Sequence, residues 1–168
     1  MVSHLSSARI LTLDEFTIIR HGLEKVVCVS GGFDPLHSGH ISHFFEAKKL
    51  GAILVVIVNG DNFLRKKKGM PFMNLDERCR IISALKPVDY VIPFEIEDDQ
   101  TVNRALEKVV PDVFAKGKDR NDIHTIPEWH VCQRLKIKIE TNVGSEHINS
   151  SDFLNAWIRH NSRTEPSR

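Results

Sequence analysis

The chain is poor in cysteine, and the few it has are not arranged for metal or disulfide chemistry. Cys28, Cys79 and Cys132 lie far apart in a sequence of 168 residues. An odd number with no CxxC spacing excludes a disulfide framework and a structural zinc site as the organising principle. Cys28 stands between two valines and Cys132 follows Val131, and small buried thiols are expected at all three positions. An excess of charge of either sign is also missing: 23 Lys and Arg against 22 Asp and Glu leave a net charge of +1. A polyanion-binding surface over the whole molecule is thereby excluded, and attraction for phosphate must come from locally placed basic groups. Long hydrophobic runs are absent as well. The longest, Ala52 to Val58, is far too short to span a bilayer. No basic segment followed by an apolar run opens the chain, so the expectation is a soluble, cytoplasmic protein with no membrane partner.

What is present is an alternation of two periods. Val26-Val27-Cys28-Val29 is a β-branched run that stops at Ser30-Gly31-Gly32, which predicts a strand ending in a glycine turn. Ile41, Phe44, Phe45 and Leu50 then recur at near-helical spacing, closed by Gly51. Ile53 to Val58 reads as a strand buried on both faces. Asn74 with Glu77 three residues on predicts a capped helix through Leu85. The alternation continues with a strand at Asp89 to Ile92, a helix at Thr101 to Val110 and a strand at Val113 to Ala115. A helix from Pro127 to Leu135, a strand at Ile137 to Ile139 and a last helix opening at Asn149 or Ser150 complete it. Strands alternating with helices of this length imply a doubly wound, Rossmann-like α/β fold, here with a five-stranded parallel sheet and helices on both faces. Residues 1–24 are expected to form an N-terminal helical extension, with Thr12 and Glu15 as a capping box. Residues 25–160 form the domain, and 161–168 a frayed tail. The glycine-bearing loops at Gly31-Gly32, Gly60 and Gly117 all follow strands, which places them on the carboxyl rim where such sheets bind ligands.

One stretch carries chemistry: Ser30-Gly31-Gly32-Phe33-Asp34-Pro35-Leu36-His37-Ser38-Gly39-His40. Two glycines after a buried strand let backbone N–H groups approach a ligand closely. The helix starting near Ser38 aims its N-terminus, with free N–H groups and partial positive charge, at the same spot. His37 and His40, three apart, can face one ligand, and Gly39 removes a side chain between them. This set suits attack of a phosphate monoester on the α-phosphate of a nucleoside triphosphate. The nucleophile is already largely ionised at neutral pH, its second pKa being about 6. The site must then supply in-line positioning and donors for developing charge rather than a strong base.

The motif Gly-x-Phe-Asp-Pro-x-His-x-Gly-His resembles the signature of the cytidylyltransferase-like nucleotidyltransferase superfamily. Val58-Asn59-Gly60-Asp61, Lys68-Gly69, Glu77-Arg78 and Val88-Asp89 resemble successive blocks of its glycerol-phosphate cytidylyltransferase and heptose-phosphate adenylyltransferase branches. Pro111 to Asp119 and the leading Ile10 to Glu15 are similar to the heptose-phosphate branch in particular, so that the resemblance spans roughly residues 10 to 158. It implies that His37 and His40 bind and stabilise the triphosphate at the reacting centre, with Gly31, Gly32, Phe33, Gly39 and Gly117 lining the nucleotide. Lys68, or its neighbour Lys67, would reach the acceptor phosphate or the triphosphate from a mobile loop at Asn62 to Met73, and Arg78 is a further acceptor-phosphate candidate. Asp119 would lie near the ribose or base, and Ser150 and Ser151 would hold the β- and γ-phosphates. Asp34 would position the acceptor side or a metal-bound water, or cap the turn. Mg²⁺ is expected to arrive with the nucleoside triphosphate, with no protein ligand assigned to it, and the resemblance implies a homodimer.

One departure from the family pattern stands out: Asn142 to Ser151, the stretch leading into the last helix, contains no arginine or lysine. Simpler structural roles compete for several of these residues. Arg65-Lys66-Lys67-Lys68 also reads as a solvated basic loop, Arg78 as half of a salt bridge and Asp119 as a turn residue. His40 and His43 lack a third ligand for zinc. The basic run has no aromatic platform, which argues against a nucleic-acid partner. The expected activity is transfer of a nucleoside monophosphate to a sugar phosphate from ATP, or to a polyol or amino-alcohol phosphate from CTP. A non-catalytic nucleotide-binding module is the rival of a different class.

Overall fold

A computed structural model describes residues 7–95, 101–117, 123–144 and 150–162. Its elements in chain order are β1 (Arg9–Ile10), α1 (Leu13–Arg20), β2 (Val26–Gly31), α2 (Ser38–Lys48), β3 (Ile53–Asn59), α3 (Asp61–Lys68), α4 (Leu75–Ser83), β4 (Tyr90–Phe94), α5 (Asn103–Val109), β5 (Val113–Ala115), a single 3-10 turn (Ile123–Thr125), α6 (Trp129–Leu135), β6 (Lys138–Glu140) and α7 (Ser150–Asn161). The strands form one sheet in the order β1-β4-β3-β2-β5-β6, and each neighbouring pair runs parallel.

The strand alternation sorts the core into two layers. Val26, Cys28, Val55, Ile57, Ile92 and Phe114 face α1, α5 and α6, where Phe16, Leu106 and Val109 meet them with no exposed surface. Val27, Val29, Leu54, Val56, Val58 and Val91 face the other way, onto Phe44 and Ala47 of α2 and Cys79 and Ile82 of α4. Each fully buried aliphatic or aromatic side chain contributes about 1.5–3 kcal/mol, so the two layers together hold the sheet. All three cysteines are free and buried, as expected, Cys79 even though Arg78 and Arg80 flank it in sequence. Thr12 caps α1 by accepting from the Glu15 N–H, while the Glu15 carboxylate accepts from the Thr12 N–H at 2.7 Å. Asn74 accepts from the Glu77 N–H at 2.9 Å and starts α4.

Two elements depart from the sequence expectation. The sheet has six strands rather than five, because Arg9 and Ile10 add an edge strand beside Tyr90 and Val91. A two-residue strand with both side chains exposed leaves no period in the sequence. Residues 62–68, expected within a mobile loop, belong to α3. Its only buried side chain is Leu64, so it shows no apolar stripe, and four consecutive basic residues disguise its last turn.

From β2 the chain steps outward through β3 to β4, then crosses back to β5 and β6 on the other side. The order therefore reverses between β2 and β5. The crevice at their carboxyl ends is the place where open parallel sheets take ligands. Gly31-Gly32, Gly60 and Gly117 stand at or after the carboxyl ends of β2, β3 and β5.

Candidate active site

β2 ends at Gly31, and the next residues make a tight turn into α2. Side chains of the protein crowd both glycines of that turn. A Cβ on Gly31 would lie 2.9 Å from the Phe33 ring, and one on Gly32 would lie 2.7 Å from Leu64 Cδ2. Phe33 takes a left-handed backbone conformation, φ 52°, which side chains with a Cβ usually avoid and which marks a site whose surroundings over-determine it. Its buried ring packs edge-on against His40 at 5.1 Å and against Phe44 at 5.1 Å. The Asp34-Pro35 peptide bond that follows is cis.

His37 stands at the N-cap of α2 in extended conformation, and His40 lies on the first turn. Their rings stack with centroids 3.6 Å apart and planes 23° from parallel. The His40 Nδ1 accepts from the His37 N–H at 3.4 Å, and the His40 N–H donates to the His37 carbonyl at 3.0 Å. Burial pushes the His40 pKa down to about 3, and the neighbouring His37 and His43 add to the effect. His40 is thus a neutral imidazole at physiological pH. With Nδ1 as an acceptor, its proton resides on Nε2.

Asp34 is buried, and its carboxylate is fully engaged by the protein. Oδ2 accepts from the Phe72 N–H at 2.8 Å and pairs with Lys68 Nζ at 2.7 Å; Oδ1 accepts from the Met73 N–H at 2.8 Å. Lys68 also donates to the Asp34 carbonyl. Of the roles expected for Asp34, the contacts present are those within the protein: it ties the segment after α3 and the Lys68 ammonium to the turn between β2 and α2. Lys68 is accordingly a half-buried residue at the end of a helix rather than part of a loose loop. Lys67 diverges from it, exposed, with its ammonium 5.8 Å from the Phe63 ring centroid.

Arg78, the further acceptor-phosphate candidate, is turned into the protein. It is buried, and its guanidinium donates to the carbonyls of Met73 at 3.0 Å, Gly32 at 2.7 Å and Asn59 at 2.7 Å, and to Asp61 Oδ1 at 2.7 Å. A guanidinium so committed inside the protein has little left to offer a phosphate at the rim. The salt-bridge alternative read from the sequence is the one found, with three carbonyls added.

Ser150, the first residue of α7, donates through Oγ to the Pro35 carbonyl at 3.0 Å. Phe153, one turn on, sits with its ring centroid 6.0 Å from that of His37. The serine pair thus opens a helix directly beside the histidines, although Ser150 and Ser151 lie more than a hundred residues from them in sequence; Ser151 is exposed. Gly39 lies inside the first turn of α2, and Gly117 follows β5 across the crevice. Asp119 lies outside the described residues. Among the described residues no group of three or more His, Cys, Asp or Glu could hold a metal ion. No described helix is long and apolar enough to cross a membrane.

Three groups near the site make contacts that the sequence did not announce. His43 donates from Nδ1 to the Val143 carbonyl at 2.7 Å, anchoring α2 to the segment after β6. Only a protonated Nδ1 can do this, since a carbonyl has no proton to give. Glu95 at the end of β4 accepts from the Asp61 and Asn62 N–H groups at 2.6 and 3.1 Å, capping α3. Lys116, at the end of β5, is turned onto the Phe114 ring at 4.8 Å and the buried Glu128 carboxylate at 3.6 Å. Apart from Lys116 and Phe114, these partners lie far apart in sequence, so no local spacing announces them.

The model of the family described as cytidylyltransferase-like matches residues 28–159. The bifunctional protein HldE of Blochmanniella pennsylvanica is 40% identical over 118 residues, which is 69% of this chain and 22% of that protein. Its namesake from Yersinia enterocolitica is 43% identical over 98 residues, 57% of this chain and 20% of that protein. The chain thus spans about a fifth of the length of these curated relatives. Among solved structures, a lipopolysaccharide core biosynthesis protein from Thermoplasma volcanium superposes with a TM-score of 0.61 at 30% identity, covering 75% of this chain and all of that one. A pantoate-beta-alanine ligase from Francisella tularensis shares the fold, with a TM-score of 0.64 at 18% identity over 88% of this chain and 73% of its own.

Proposed function

The chain belongs to the cytidylyltransferase-like family, and on that premise we propose that it is a nucleotidyltransferase moving AMP from ATP to a sugar phosphate. The observation that carries this reading is the stacked His37–His40 pair at the N-terminus of α2, set beside a double-glycine turn at the point where the strand order reverses. A phosphate oxygen of the acceptor attacks the α-phosphorus, the bond to the bridging oxygen of the β-phosphate breaks, and pyrophosphate leaves. The acceptor phosphate is largely a dianion at neutral pH, so no group has to remove a proton from it.

The protein's part is to stabilise charge as it develops on the α-phosphate and the departing pyrophosphate. His40, neutral and carrying its proton on Nε2, acts as a hydrogen-bond donor and not as a base. His37 flanks it on the same ligand. The free N–H groups of the first turn of α2 add partial positive charge, and Gly31, Gly32 and Gly39 leave the backbone open to close approach. Ser150 and Ser151 at the start of α7 take the β- and γ-phosphates. Lys68 meets the acceptor phosphate or the triphosphate, which competes with Asp34 for its ammonium. Gly117 and Asp119 border the ribose or base. The Asp34 carboxylate, filled by two N–H groups and a lysine, does not fit a resident metal site. Mg²⁺ is assigned to the triphosphate that carries it in.

Preference for ATP and a sugar phosphate rests on the similarity of the leading segment and the Pro111 to Asp119 block to the heptose-phosphate branch, and on the HldE relatives. CTP with a polyol or amino-alcohol phosphate is the alternative within the class, and a nucleotide-binding module without turnover the alternative outside it. A cytoplasmic homodimer completes the proposal; light scattering that finds only a 19.2 kDa species would reject the dimer. The test of the reaction is pyrophosphate release with each of ATP, CTP, GTP and UTP against phosphorylated sugars and polyols. Release with ATP and a sugar phosphate alone supports the reading. Release with CTP and a polyol phosphate replaces it with the alternative, and nucleotide binding without release on any acceptor favours the module.

A further inference from the structure

Arg78 is 1% exposed, and its guanidinium joins three segments of the chain. It holds the carbonyl of Gly32 in the phosphate-loop turn, the carbonyl of Asn59 at the end of β3, the carbonyl of Met73 in the turn before α4, and the carboxylate of Asp61 at the start of α3. We infer that Arg78 is a positioning residue for the reaction, setting the orientation of His40 through the Gly32–Phe33 peptide and the Phe33 ring. The inference rests on the nucleotidyltransferase reading for its kinetic part only.

The physical chain has three links. A trans peptide is planar, with its C=O and N–H pointing in opposite directions. When Arg78 draws the Gly32 carbonyl inward at 2.7 Å, the N–H of Phe33 in the same plane is turned away from Arg78. The next backbone dihedral is then the left-handed one, φ 52° at Phe33, a conformation that costs energy unless its neighbours fix it. That conformation folds the Phe33 ring back over Gly31, where a Cβ would lie 2.9 Å from it, and sets it edge-on to His40 at 5.1 Å and 85°. Phe33 and the stacked His37 thus bear on His40 from separate directions. Release of the Gly32 carbonyl frees the peptide plane, and with it the ring that orients the imidazole.

The same guanidinium steadies the lysine end of the site. Asp61, which it pairs with, opens α3, while Lys68 closes that helix on Asp34. Arginine suits the place because its rigid planar fork serves several acceptors in fixed directions, which a lysine ammonium on a flexible stem does not.

The experiment compares Arg78→Lys and Arg78→Gln with the wild-type chain, well below their unfolding midpoints. It records kcat and KM for the triphosphate together with the ¹⁵N and ¹H resonances of the His40 imidazole. Positioning predicts a folded protein whose kcat falls at least tenfold, with KM changed less than threefold and the His40 resonances displaced. A brace that serves stability alone lowers the unfolding midpoint and leaves kcat and the His40 resonances at wild-type values, which would overturn the inference. Phe33→Leu keeps Arg78 and its partners but removes the ring from His40. It should change the His40 ¹⁵N shifts that report its tautomer and hydrogen bond, beyond the small change a lost ring current gives, and ¹⁵N shifts at wild-type values would also overturn the relay. That variant decides alone if neither Arg78 variant folds. The His40 resonances need no turnover, so a wild-type chain that releases no pyrophosphate refutes the functional reading while the relay is still tested.

Discussion

Replacement of Asp34 by Asn is the sharpest test of how the site is held together. Only one carboxylate oxygen is replaced, by an NH₂ group, but both oxygens are in use. Oδ1 accepts from the Met73 N–H, while Oδ2 accepts from the Phe72 N–H and pairs with Lys68 at 2.7 Å. An amide has one acceptor oxygen, so whichever way Asn is turned, its NH₂ faces a backbone N–H and one donor is left unanswered. A hydrogen bond to a charged acceptor is worth about 1.5–3 kcal/mol, and a buried pair broken on one side costs about 3–5 kcal/mol. The Asp34 side chain has no exposure but that of Lys68 is 19% exposed, so water recovers part of the lysine's loss. The expected cost is about 3 kcal/mol. With an urea slope of about 2 kcal/mol/M this moves the unfolding midpoint down by about 1–2 M at unchanged slope. Lys68→Met alone should cost less, and the double variant should cost less than the sum, with a coupling of about 1–3 kcal/mol. A cost for Asp34→Asn below about 1 kcal/mol, or costs that simply add, would refute the assignment of Asp34 as the anchor of Lys68 and the Phe72–Met73 segment.

The remaining predictions concern the histidines and the glycines. The folded pKa of His40, about 3, lies below its ordinary value of 6.5, so between those pH values the unfolded chain binds a proton that the folded chain does not. Stability from neutral His40 is therefore complete above about pH 6.5 and is lost as pH falls toward 3, by on the order of a few kcal/mol. His40→Gln should flatten that acid limb in urea titrations, and an unchanged slope between pH 6 and 4 would contradict the burial argument. Gly51→Ala should destabilise by about 1–3 kcal/mol, because its Cβ would meet the Lys25 carbonyl and Val27 Cγ2 at 2.7 Å. Since Gly51 precedes β3 at the end opposite the site, kcat should stay at wild-type level, and a lost kcat in a folded variant would refute that separation. Gly32→Ala should do the reverse. Its Cβ meets only the flexible end of Leu64, at 2.7 Å, yet stands in the turn where the phosphate must approach, so turnover should fall more than stability.

The layers of the fold were legible wherever burial wrote a period into the chain. Val26 to Val29 and Ile53 to Val58 are continuous β-branched and aliphatic runs because both faces of β2 and β3 are covered. Thr12–Glu15 and Asn74 announced their helices because capping is a local interaction. β1 and α3 escaped notice for the converse reason: their formation depends on pairing with Tyr90 and Val91 and on Asp34, Arg78 and Glu95, all distant in sequence. In the site, the spacing of His37 and His40 across one helical turn and their strand-to-helix setting were readable, because they span four residues. The roles of Arg78 and Asp34 were not. Nothing in Glu77-Arg78 says that the guanidinium turns inward to Gly32, 46 residues away, and nothing around Asp34 says that Phe72 and Met73 come to meet its carboxylate. A side chain's charge can be read from the sequence, but whether it faces a ligand or another part of the chain is decided by packing.

The most direct test of phosphate-on-phosphate transfer is ³¹P NMR of the chain mixed with ATP, Mg²⁺ and a sugar 1-phosphate. Formation of free pyrophosphate together with a coupled pair of resonances from a new diphosphate linkage, both dependent on the acceptor and both lost in His40→Ala, is the predicted result. ATP that stays intact, or is hydrolysed to AMP at the same rate with or without acceptor and in His40→Ala alike, would contradict it.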